Sequence, residues 1–449
     1  MKIGDDQIKI LSLATQYYKK LSSIGVDVAA SAYCWLLNIP GAPGYFILRS
    51  LKENRKLNIK GIYFLFKQFI AISILHDFKL FKKVNNEINY DKLIISWAKK
   101  SDFQLDGSYT DRYFKVNSKN ISKTIWFLLY LDEHDLIPKN IDDNIIIFGK
   151  ENLKSKYNFF YFFKVFLKLI KENKGSIIKI FHSCSRRSHF AKITSKAVSE
   201  IVKSKDFKTV FTAYDAQPFQ NKIFEEIRKI SSDIKLVGYL HATQPLPLLN
   251  MHRQGAPDLL LVHGSSQVFH LQKYLNWPKN KLRLIPALRY NKEDITRFDN
   301  NLVLPINLSS EKILLNQFRI YLEKTKKESL KPFIIKNHPH TNNSQRHKKF
   351  IYQLNRIIEE FSNRFSAKAK DSVSLFFGGT SSVLEALESG LKVLHLCADP
   401  VLESYSETLW PSIKVREINE HTLVYSLRSY GKCINFSTEN NMFEKYCIL

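Results

Sequence analysis

Residues 374–396, SLFFGGTSSVLEALESGLKVLHL, constrain the fold of this 449-residue chain more than any other stretch. The apolar run Ser374–Phe377 predicts a buried strand, and Gly378-Gly379-Thr380 predicts a turn. A short helix is expected to begin at Ser381 or Ser382 and to end at Gly390, before a second strand over residues 392–396. Two strands joined by a helix form a βαβ unit, which predicts a parallel sheet.

The turn in this unit leads into a helix N-terminus with no bulky side chain over it. First-turn N–H groups have no partner inside a helix, and the aligned peptide dipoles give that end a partial positive charge. Such an end suits an anion, above all a phosphate. Serine and glycine are also ordinary cap and turn residues, so a purely structural strand-turn-helix remains the alternative.

A second junction upstream points to the same chemistry. Residues 333–336 predict a strand that runs into Asn337-His338-Pro339-His340. Parallel strands end at one sheet edge, where open α/β sheets bind ligands. An imidazole can hold a phosphoryl oxygen and protonate a leaving group, and a lysine adds a point charge. The sequence therefore predicts one phosphate site formed by Lys336, His338, Thr380, Ser381 and Ser382.

Two other side chains near this site have alternative roles. Glu385, one turn into the helix, either reaches a ribose hydroxyl or occupies an exposed helix position. His340, just past the proline, is either functional or simply exposed at the surface. The sequence alone leaves both alternatives open.

Strand and helix patterns alternate through the rest of the chain, which is typical of parallel α/β sheets. The predicted strands are 144–148, 177–181, 209–212, 235–239, 259–262, 302–306 and 414–416. The predicted helices are 123–137, 192–203, 221–230, 311–325, 343–362 and 420–428. Residues 1–60 are expected to open an α/β domain.

The polar stretch 291–301 has no apolar period and predicts a domain boundary. We therefore expect an α/β protein of the GT-B arrangement, in which two Rossmann-like domains face each other across a cleft. Residues 1–290 would form the acceptor domain and residues 302–430 the nucleotide-sugar domain. Residues 431–449 would be a tail that packs back.

Two polar side chains follow strands of the N-terminal half. The strand at 209–212 leads to Asp215, and the strand at 235–239 leads to His241. If the strands are neighbours, these side chains lie side by side, and Asp215 can accept the proton of an attacking hydroxyl, as an inverting group transfer requires. The alternative is an ordinary helix N-terminal aspartate and a packed loop histidine.

The charge balance suggests an anionic partner. Lys plus Arg exceed Asp plus Glu by 68 to 42, a formal net charge of +26. This excess suits nucleic acid, an anionic membrane or a phosphorylated substrate. The basic residues are spread through the chain and no RNA-binding, helix-turn-helix or zinc-knuckle signature occurs, which argues against nucleic acid as a partner.

The cysteines and the N-terminal sequence predict a cytoplasmic protein. Five cysteines are scattered, with no CxxC pair and no histidine at metal-ligand spacing, so neither a zinc site nor a disulfide framework is expected. The first twenty residues carry early acids and no apolar core of a secretory signal.

One segment indicates contact with a membrane surface. Residues 157–174, YNFFYFFKVFLKLIKENK, alternate aromatic residues with lysines. A basic, aromatic amphipathic helix can lie on anionic headgroups, where each basic residue contributes about 1 kcal/mol. The alternative is a core helix with a solvated lysine face. No window offers the ~18 uninterrupted apolar residues of a spanning helix, so a peripheral position at the inner face of the cytoplasmic membrane is expected.

Several motifs together carry a resemblance. The segments KNHPH and GGTSSVLEALESG resemble the HP and Ser-Ser/Thr motifs of bacterial GT-B glycosyltransferases that use CMP-activated ulosonic sugars, sialyl- and polysialyltransferases among them. The segments YDAQPFQ, GYLHATQP and APDLLLVHG are similar to a YE-x-QPWE, GYQHS and PD-x-x-x-x-G pattern of bacterial surface-carbohydrate biosynthesis proteins of the same fold. The resemblance covers roughly residues 205–400.

The resemblance implies roles for particular residues. His338, Ser381 and Ser382 would hold the nucleotide phosphate, and a first-domain acid, here Asp215, would serve as the base. Asp215, Phe219 and Gln220 stand where the pattern has Glu, Trp and Glu, and the paired-acid motif of sialyltransferases is not evident.

The expected function is transfer of a sugar from a CMP donor, an ulosonate such as a sialic-acid-like sugar or Kdo, to a surface-glycan or lipid-linked acceptor. Such a donor carries one phosphate, so a histidine and a helix terminus can replace a metal, and no cofactor or metal is expected. The alternatives are a GT-B transferase with a UDP-sugar, GDP-sugar or CDP-glycerol donor, and a nucleic-acid-binding protein suggested by charge alone.

Overall fold

The computed structural model describes residues 3–39, 41–53, 59–81, 89–132, 137–138, 140–151, 157–291, 298, 300–338, 341–369, 373–437 and 442–447. Two sheets, one in each half of the chain, dominate the described part of the molecule. Most neighbouring strands in each sheet run parallel, which confirms the α/β class predicted from the sequence.

The sheet of the N-terminal half has eight strands in the order β1-β6-β5-β2-β7-β8-β9-β10. Its strands are β1 (Phe78–Leu80), β2 (Lys92–Ala98), β5 (Thr124–Tyr130), β6 (Ile145–Lys150), β7 (Thr209–Ala213), β8 (Lys235–Tyr239), β9 (Leu259–Val262) and β10 (Leu282–Leu284). Only β1 pairs antiparallel, with β6. A small hairpin of β3 (Thr110–Asp111) and β4 (Val116–Asn117) follows β2.

The described residues of the N-terminal half form eight α-helices. They are α1 (Ile3–Ser23), α2 (Pro43–Glu53), α3 (Ile59–Ile70), α4 (Phe159–Glu172), α5 (Ile177–Ser183), α6 (Arg186–Lys203), α7 (Pro218–Ile230) and α8 (Ser265–Tyr274). Side chains alternate across each strand, so Leu93 and Ile95 of β2 join one apolar cluster with α6 and α7, while Ile94 joins a second cluster on the opposite face. Both faces of the sheet are therefore covered.

The sheet of the C-terminal half has the order β13-β12-β14-β15-β17-β16. Its strands are β12 (Asn301–Val303), β13 (Ile334–Lys336), β14 (Ser374–Phe377), β15 (Val393–Leu396), β16 (Ile413–Asn419) and β17 (Thr422–Leu427). Its helices are α9 (Glu311–Lys324), α10 (Gln345–Glu360), α11 (Ser382–Glu388) and α12 (Pro400–Glu403). The first four strands in this order are parallel, and β17 and β16 are added antiparallel.

The last residues return to the N-terminal half. Strand β18 (Phe436–Ser437) pairs in parallel with β11 (Ala287–Asn291). Helix α13 (Met442–Cys447) packs Met442 and Phe443 into the apolar cluster under the first sheet. The buried Glu388 carboxylate of α11 accepts hydrogen bonds from the backbone N–H groups of Cys433 and Ile434, which fixes the path of this segment.

The N-terminal helices connect the two halves. The Gln7 side chain of α1 donates to the Ser404 carbonyl oxygen at 2.8 Å. In α2, the Arg49 guanidinium and the Lys52 ammonium form ion pairs with Asp399 at 2.7 and 2.5 Å. Residues 1–60, expected to open an α/β domain, contribute α1 and α2 in their described part, and side chains of α1 pack in the same apolar core as strand β2.

Three predicted elements are wrong for identifiable reasons. The helix expected at 123–137 contains strand β5, whose seven residues are all buried. A strand with a neighbour on each side buries both of its faces, so it shows no alternation and its apolar run resembles a buried helix. The strand expected at 177–181 is helix α5. Its β-branched residues favour a strand, but the segment lies outside the sheet and Ile177 is exposed.

The third error concerns residues 420–428, expected to form a helix. They contain strand β17, which pairs with β15 and β16. Backbone pairing with two neighbours outweighs the weak local preference of this segment. Among the helices of the described residues, none combines the length and the apolar character needed to cross a membrane.

Candidate functional site

Asp215 and His241 follow two adjacent strands and lie side by side. Strands β7 and β8 are parallel neighbours, so the residues after them leave the sheet at the same edge. His241 Nε2 lies 3.4 Å from Asp215 Oδ2. The Asp215 side chain retains 20% exposure, whereas that of His241 retains 7%. The Asp215 side chain is therefore the more exposed member of the pair.

The environment of Asp215 disfavours its charged form. Burial raises its pKa to about 7, and the charge of Arg289 opposes this shift. One carboxyl oxygen, Oδ1, is buried and has no hydrogen-bond partner in the described part of the chain. A carboxylate with a free oxygen and a pKa near neutrality has the properties of a general base.

The turn after Asp215 is strained. Ala216 has a φ of +49°, in the left-handed region that alanine rarely adopts. Arg253 donates a hydrogen bond to the Ala216 carbonyl oxygen, and the Gln220 side chain accepts one from the Asp215 N–H at 3.0 Å. Such strain costs about 1–3 kcal/mol, and here these hydrogen bonds hold the strained turn in place.

His241 is a neutral imidazole. Burial lowers its pKa well below the usual value, and the charge of Arg289 lowers it further. Its ring meets the Tyr113 ring nearly edge-on, with centroids 4.5 Å apart. The Tyr290 hydroxyl donates to the His241 carbonyl oxygen at 3.2 Å. His241 is thus held in place and can orient Asp215 without carrying charge.

Tyr113 is positioned by a buried carboxylate that the sequence did not single out. Asp111 accepts hydrogen bonds from the backbone N–H groups of Tyr113 and Phe114, both at 2.7 Å. The Tyr109 hydroxyl donates to the same carboxylate at 2.8 Å. Burial and the nearby Asp215 charge raise the pKa of Tyr113 to about 12, so its hydroxyl stays protonated.

Arg289 on β11 is the cation of the site, and sequence reasoning missed it. Its charge lowers the pKa of Asp215, His241 and His263. Burial lowers the pKa of Arg289, but the charges of Tyr290 and Glu385 contribute to a net rise of that pKa. The guanidinium is therefore near acidic groups from both halves of the chain. No motif surrounds it in the sequence.

The loop after β14 faces these residues from the C-terminal half. Gly378 has a φ of +57° and starts the turn, and the Ser382 N–H donates to Thr380 Oγ1 at 3.3 Å. Ser381 is the N-cap of α11, but its side chain makes no capping hydrogen bond, and α11 has only seven residues. Thr380, Ser381 and Ser382 are partly exposed. Their polar groups are available at the sheet edge.

The two sheet edges meet at this loop. Thr243, just after His241, donates from Oγ1 to the Ser381 carbonyl oxygen at 3.4 Å. The buried Tyr405 hydroxyl lies 3.2 Å from the Thr243 carbonyl oxygen and 3.0 Å from that of Thr380. The carboxyl ends of parallel strands in the two domains thus face each other, which is the GT-B arrangement predicted from the sequence.

Glu385 does not occupy an exposed helix position, so that alternative is wrong. Its side chain is buried. It forms a hydrogen bond with Tyr290 and raises the pKa of that phenol, and its charge also acts on Arg289. Glu385 therefore faces the N-terminal half, where its contacts are with protein groups.

His338 and Lys336 lie farther along the same edge. They belong to the end of β13, and β12 lies between β13 and β14. Because neighbouring strands are about 4.8 Å apart, one intervening strand puts β13 roughly 10 Å from β14. Lys336 is exposed and His338 is partly buried. The structure places the predicted phosphate residues at one edge but in two groups, and His340 lies outside the described residues.

A metal site does not emerge from the described side chains. No group of three or more His, Cys, Asp or Glu residues in this part of the chain could hold an ion. All five cysteines are buried and free.

Comparison with known proteins gives only distant similarities. No protein-family model matches the chain, and no curated protein matches it in sequence. An α,α-trehalose-6-phosphate synthase from Burkholderia multivorans is similar in structure at a TM-score of 0.36 and 10% identity, over 62% of this chain and 70% of that one. A glycosyltransferase from Rickettsia africae is similar at a TM-score of 0.32 and 10% identity, over 68% of this chain and 78% of that one.

The lipopolysaccharide outer core galactosyltransferase WaaB gives a TM-score of 0.31 at 10% identity, over 67% of this chain and 79% of that one. At these values the similarities carry no argument about function. The function is argued from the geometry of the site.

The raised pKa of Asp215 predicts a stability gain on removing its charge. Above pH 7 the folded protein holds a charged, poorly solvated carboxylate, whereas below the unfolded value of 3.8 the group is protonated in both states. The full pKa shift of Asp215 between the unfolded and folded states corresponds to a loss of at most about 4 kcal/mol in the free energy of unfolding. Because the side chain keeps some solvent contact, we expect Asp215→Asn to raise the free energy of unfolding by about 2 kcal/mol at pH 8.

The check is urea denaturation at pH 8 and at pH 4.5, where the expected gain is much smaller. Substitution of the exposed Asp206 by asparagine is the matched control and should change stability little at either pH. A destabilised Asp215→Asn variant at pH 8 would show that the carboxylate is well stabilised in the folded protein.

Proposed function

We propose that this protein is a glycosyltransferase that moves an ulosonate, such as a sialic-acid-like sugar or Kdo, from a CMP donor to a surface-glycan acceptor. The observation that carries the proposal is the partly exposed Asp215 side chain, with its pKa near 7, at the meeting of two sheet edges. The Thr380–Ser382 loop contacts Thr243, just after His241, and the charge of Arg289 acts on Asp215 and interacts with Glu385.

In the proposed reaction the acceptor hydroxyl loses its proton to Asp215 as its oxygen attacks the anomeric carbon of the donor sugar. The bond between that carbon and the phosphate oxygen breaks, and CMP leaves with the bonding electrons. His241 keeps Asp215 oriented by contact at 3.4 Å without competing for the proton, since burial keeps its imidazole neutral. Asp215 thus gains the proton, and the departing CMP carries the negative charge.

The donor phosphate is proposed to bind at the carboxyl edge of the second sheet. Backbone N–H groups and hydroxyls of Thr380, Ser381 and Ser382 would contact its oxygens, and Arg289 would approach from the opposite side. Lys336 and His338 lie at the same edge, beyond β12, where they suit the sugar carboxylate or the nucleotide. In the proposed reaction these groups, rather than a metal ion, supply positive charge at the bond that breaks.

The test is CMP release by the purified protein from CMP-ulosonates with an acceptor glycan, with and without a chelator. We expect turnover that rises as the pH passes through about 7, because the base must be ionised, and that survives chelation. Asp215→Asn should slow turnover about 100-fold or more while the thermal shift caused by CMP stays unchanged.

The exposed Asp206→Asn variant serves as the control and should keep full activity. Absence of turnover with every CMP-ulosonate would contradict the proposed donor. A thermal-shift screen with CMP, CDP, UDP and GDP would then show which nucleotide binds at this sheet edge. A ligand at about 100 times its dissociation constant adds about 2.7 kcal/mol to the free energy of unfolding. Normal turnover by Asp215→Asn would exclude Asp215 as the base.

The acceptor is proposed to be lipid-linked, because one surface of the N-terminal half suits an anionic membrane. On helix α4, Phe162, Val165 and Leu169 are buried. Phe160 and Leu167 form an apolar strip that is 82% and 64% exposed at these two residues. Exposed lysines at positions 164, 168 and 171 lie next to this apolar strip. Exposed aromatic residues beside lysines are typical of helices at a membrane interface.

Two neighbouring helices extend this apolar strip. Phe69 of α3 packs against Phe162 of α4, with ring centroids 4.6 Å apart, and Ile180 of α5 joins the same cluster. We define the α3–α4–α5 face as the exposed apolar residues of these helices and Tyr157, two residues before α4. They are Tyr63, Phe66, Tyr157, Phe159, Phe160, Phe163, Leu167, Ile177 and Ile178.

Co-sedimentation with lipid vesicles tests this surface. The wild-type protein should bind vesicles that contain phosphatidylglycerol much more tightly than vesicles of phosphatidylcholine alone, and salt should weaken the binding. Replacing Phe160, Phe163 and Leu167 together by serine should weaken it at least about tenfold, because each removes apolar area that enters the interface. Tyr352→Ser, at a 64% exposed position on α10, is the matched control. Equal vesicle binding by the triple variant and wild type would contradict the assignment.

A further inference from the structure

Two arginines at the start of α6 create an unusual concentration of positive charge. Arg186 and Arg187 are the first two residues of this 18-residue helix, and Ser185 is its N-cap. The Ser185 hydroxyl accepts from the Ser188 N–H at 3.0 Å, so the cap itself is satisfied. A helix N-terminus is already positive, and arginine is therefore electrostatically unfavourable there. The helix dipole therefore disfavours both arginines at these positions, and neither of them caps the helix.

A third cation lies near the pair. Lys150, at the end of β6, is buried, and the charge of Arg186 contributes to the lowering of its pKa. Asp77 acts on Lys150 in the opposite sense, but Asp77 also forms an ion pair with His76. Lys150 therefore adds a third positive charge near Arg186, and the carboxylate of Asp77 acts on Lys150.

The two guanidinium groups themselves have no acidic partner among the residues that the structure describes. Burial lowers the pKa of both, and Arg186 adds to the lowering at Arg187. Both arginines are exposed at the surface, so an external ligand can reach them. Neighbouring positive groups that repel each other and stay reachable attract an external anion.

The pair lies between the proposed base and the α3–α4–α5 face. The Arg187 guanidinium stacks over the Trp35 ring at 4.8 Å, and Trp35 Nε1 donates to the Asp215 carbonyl oxygen at 3.1 Å. On the other side, Tyr157 acts electrostatically on Arg186, and its ring stacks with that of Phe159 at 6.4 Å. One continuous set of contacts thus leads from the apolar surface to the base.

We propose that Arg186 and Arg187, supported by the charge of Lys150, bind the phosphate group of an amphiphilic acceptor whose apolar chain sits in the membrane at the α3–α4–α5 face. A phosphate held there would place the polar end of the acceptor next to Asp215. Arginine suits this task because its planar fork donates two parallel hydrogen bonds to phosphate oxygens, and stacking on Trp35 fixes its plane. The acceptor role rests on the proposed transferase function, whereas phosphate binding does not.

Titration calorimetry with the full chain tests the site in the absence of nucleotide. The probes are decyl phosphate below its micelle concentration, inorganic phosphate, and decyl maltoside as an uncharged amphiphile. We expect decyl phosphate to bind more tightly than either of the others, because it alone offers both the phosphate and the apolar chain. Binding of inorganic phosphate as tight as that of decyl phosphate would overturn the amphiphile assignment.

Variants locate the binding. The double variant Arg186→Gln/Arg187→Gln should bind decyl phosphate at least about tenfold more weakly, and Arg187→Lys should fall between it and wild type because lysine keeps the charge but loses the fork. Arg356→Gln, at an exposed position on α10, is the matched control and should bind like wild type. Unchanged binding by the double variant, with an unchanged melting temperature, would overturn the site.

A parallel assay with CMP-ulosonate separates this inference from the proposed function. If decyl phosphate binding depends on the arginine pair but no CMP is released with any acceptor, the phosphate site stands and the transferase proposal fails. If CMP is released and the pair makes no difference to decyl phosphate binding, the transferase proposal stands and the phosphate site fails.

Discussion

The hydroxyl group of Tyr405 holds the two sheet edges together. It lies within hydrogen-bonding distance of the Thr243 carbonyl oxygen after β8 and the Thr380 carbonyl oxygen after β14. The phenol is fully buried, so an unpaired hydroxyl there would cost about 1–3 kcal/mol. This requirement holds the loops that carry His241 and Ser381 close together.

Several features around this junction cost stability. Asp215 is held where its charge is poorly solvated, Ala216 adopts a left-handed backbone conformation, and Arg186 and Arg187 crowd a helix N-terminus. The apolar strip of α4 is exposed to solvent. These features adjoin one another from the surface to the sheet edge, and local violations of folding preference concentrated in this way are typical of functional sites. A shared apolar core and the bracing by α1 and α2 offset their cost.

The sequence predicts those parts of the site that lie within one βα junction or between consecutive strands. Asp215 and His241 end strands that follow one another in the chain and pair in the sheet, so their proximity could be predicted. Arg289, Tyr113 and Trp35 come from distant segments and carry no motif, so only the folded chain brings them to Asp215. The separation of His338 from Ser381 depends on β12 lying between their strands, and strand order is not encoded in local patterns. The same limit explains β5, whose apolar run could not be distinguished from a buried helix until its neighbours were known.

The central claim is that the nucleotide phosphate binds where the two sheet edges meet. A crystal structure of the protein with CMP tests it most directly. The account predicts phosphate oxygens within hydrogen-bonding distance of the Thr380–Ser382 loop, with Arg289 on the opposite side and Asp215 open toward the position of the sugar. A CMP phosphate bound away from that loop, or a loop closed against Asp215 with no room for a phosphate, would contradict it.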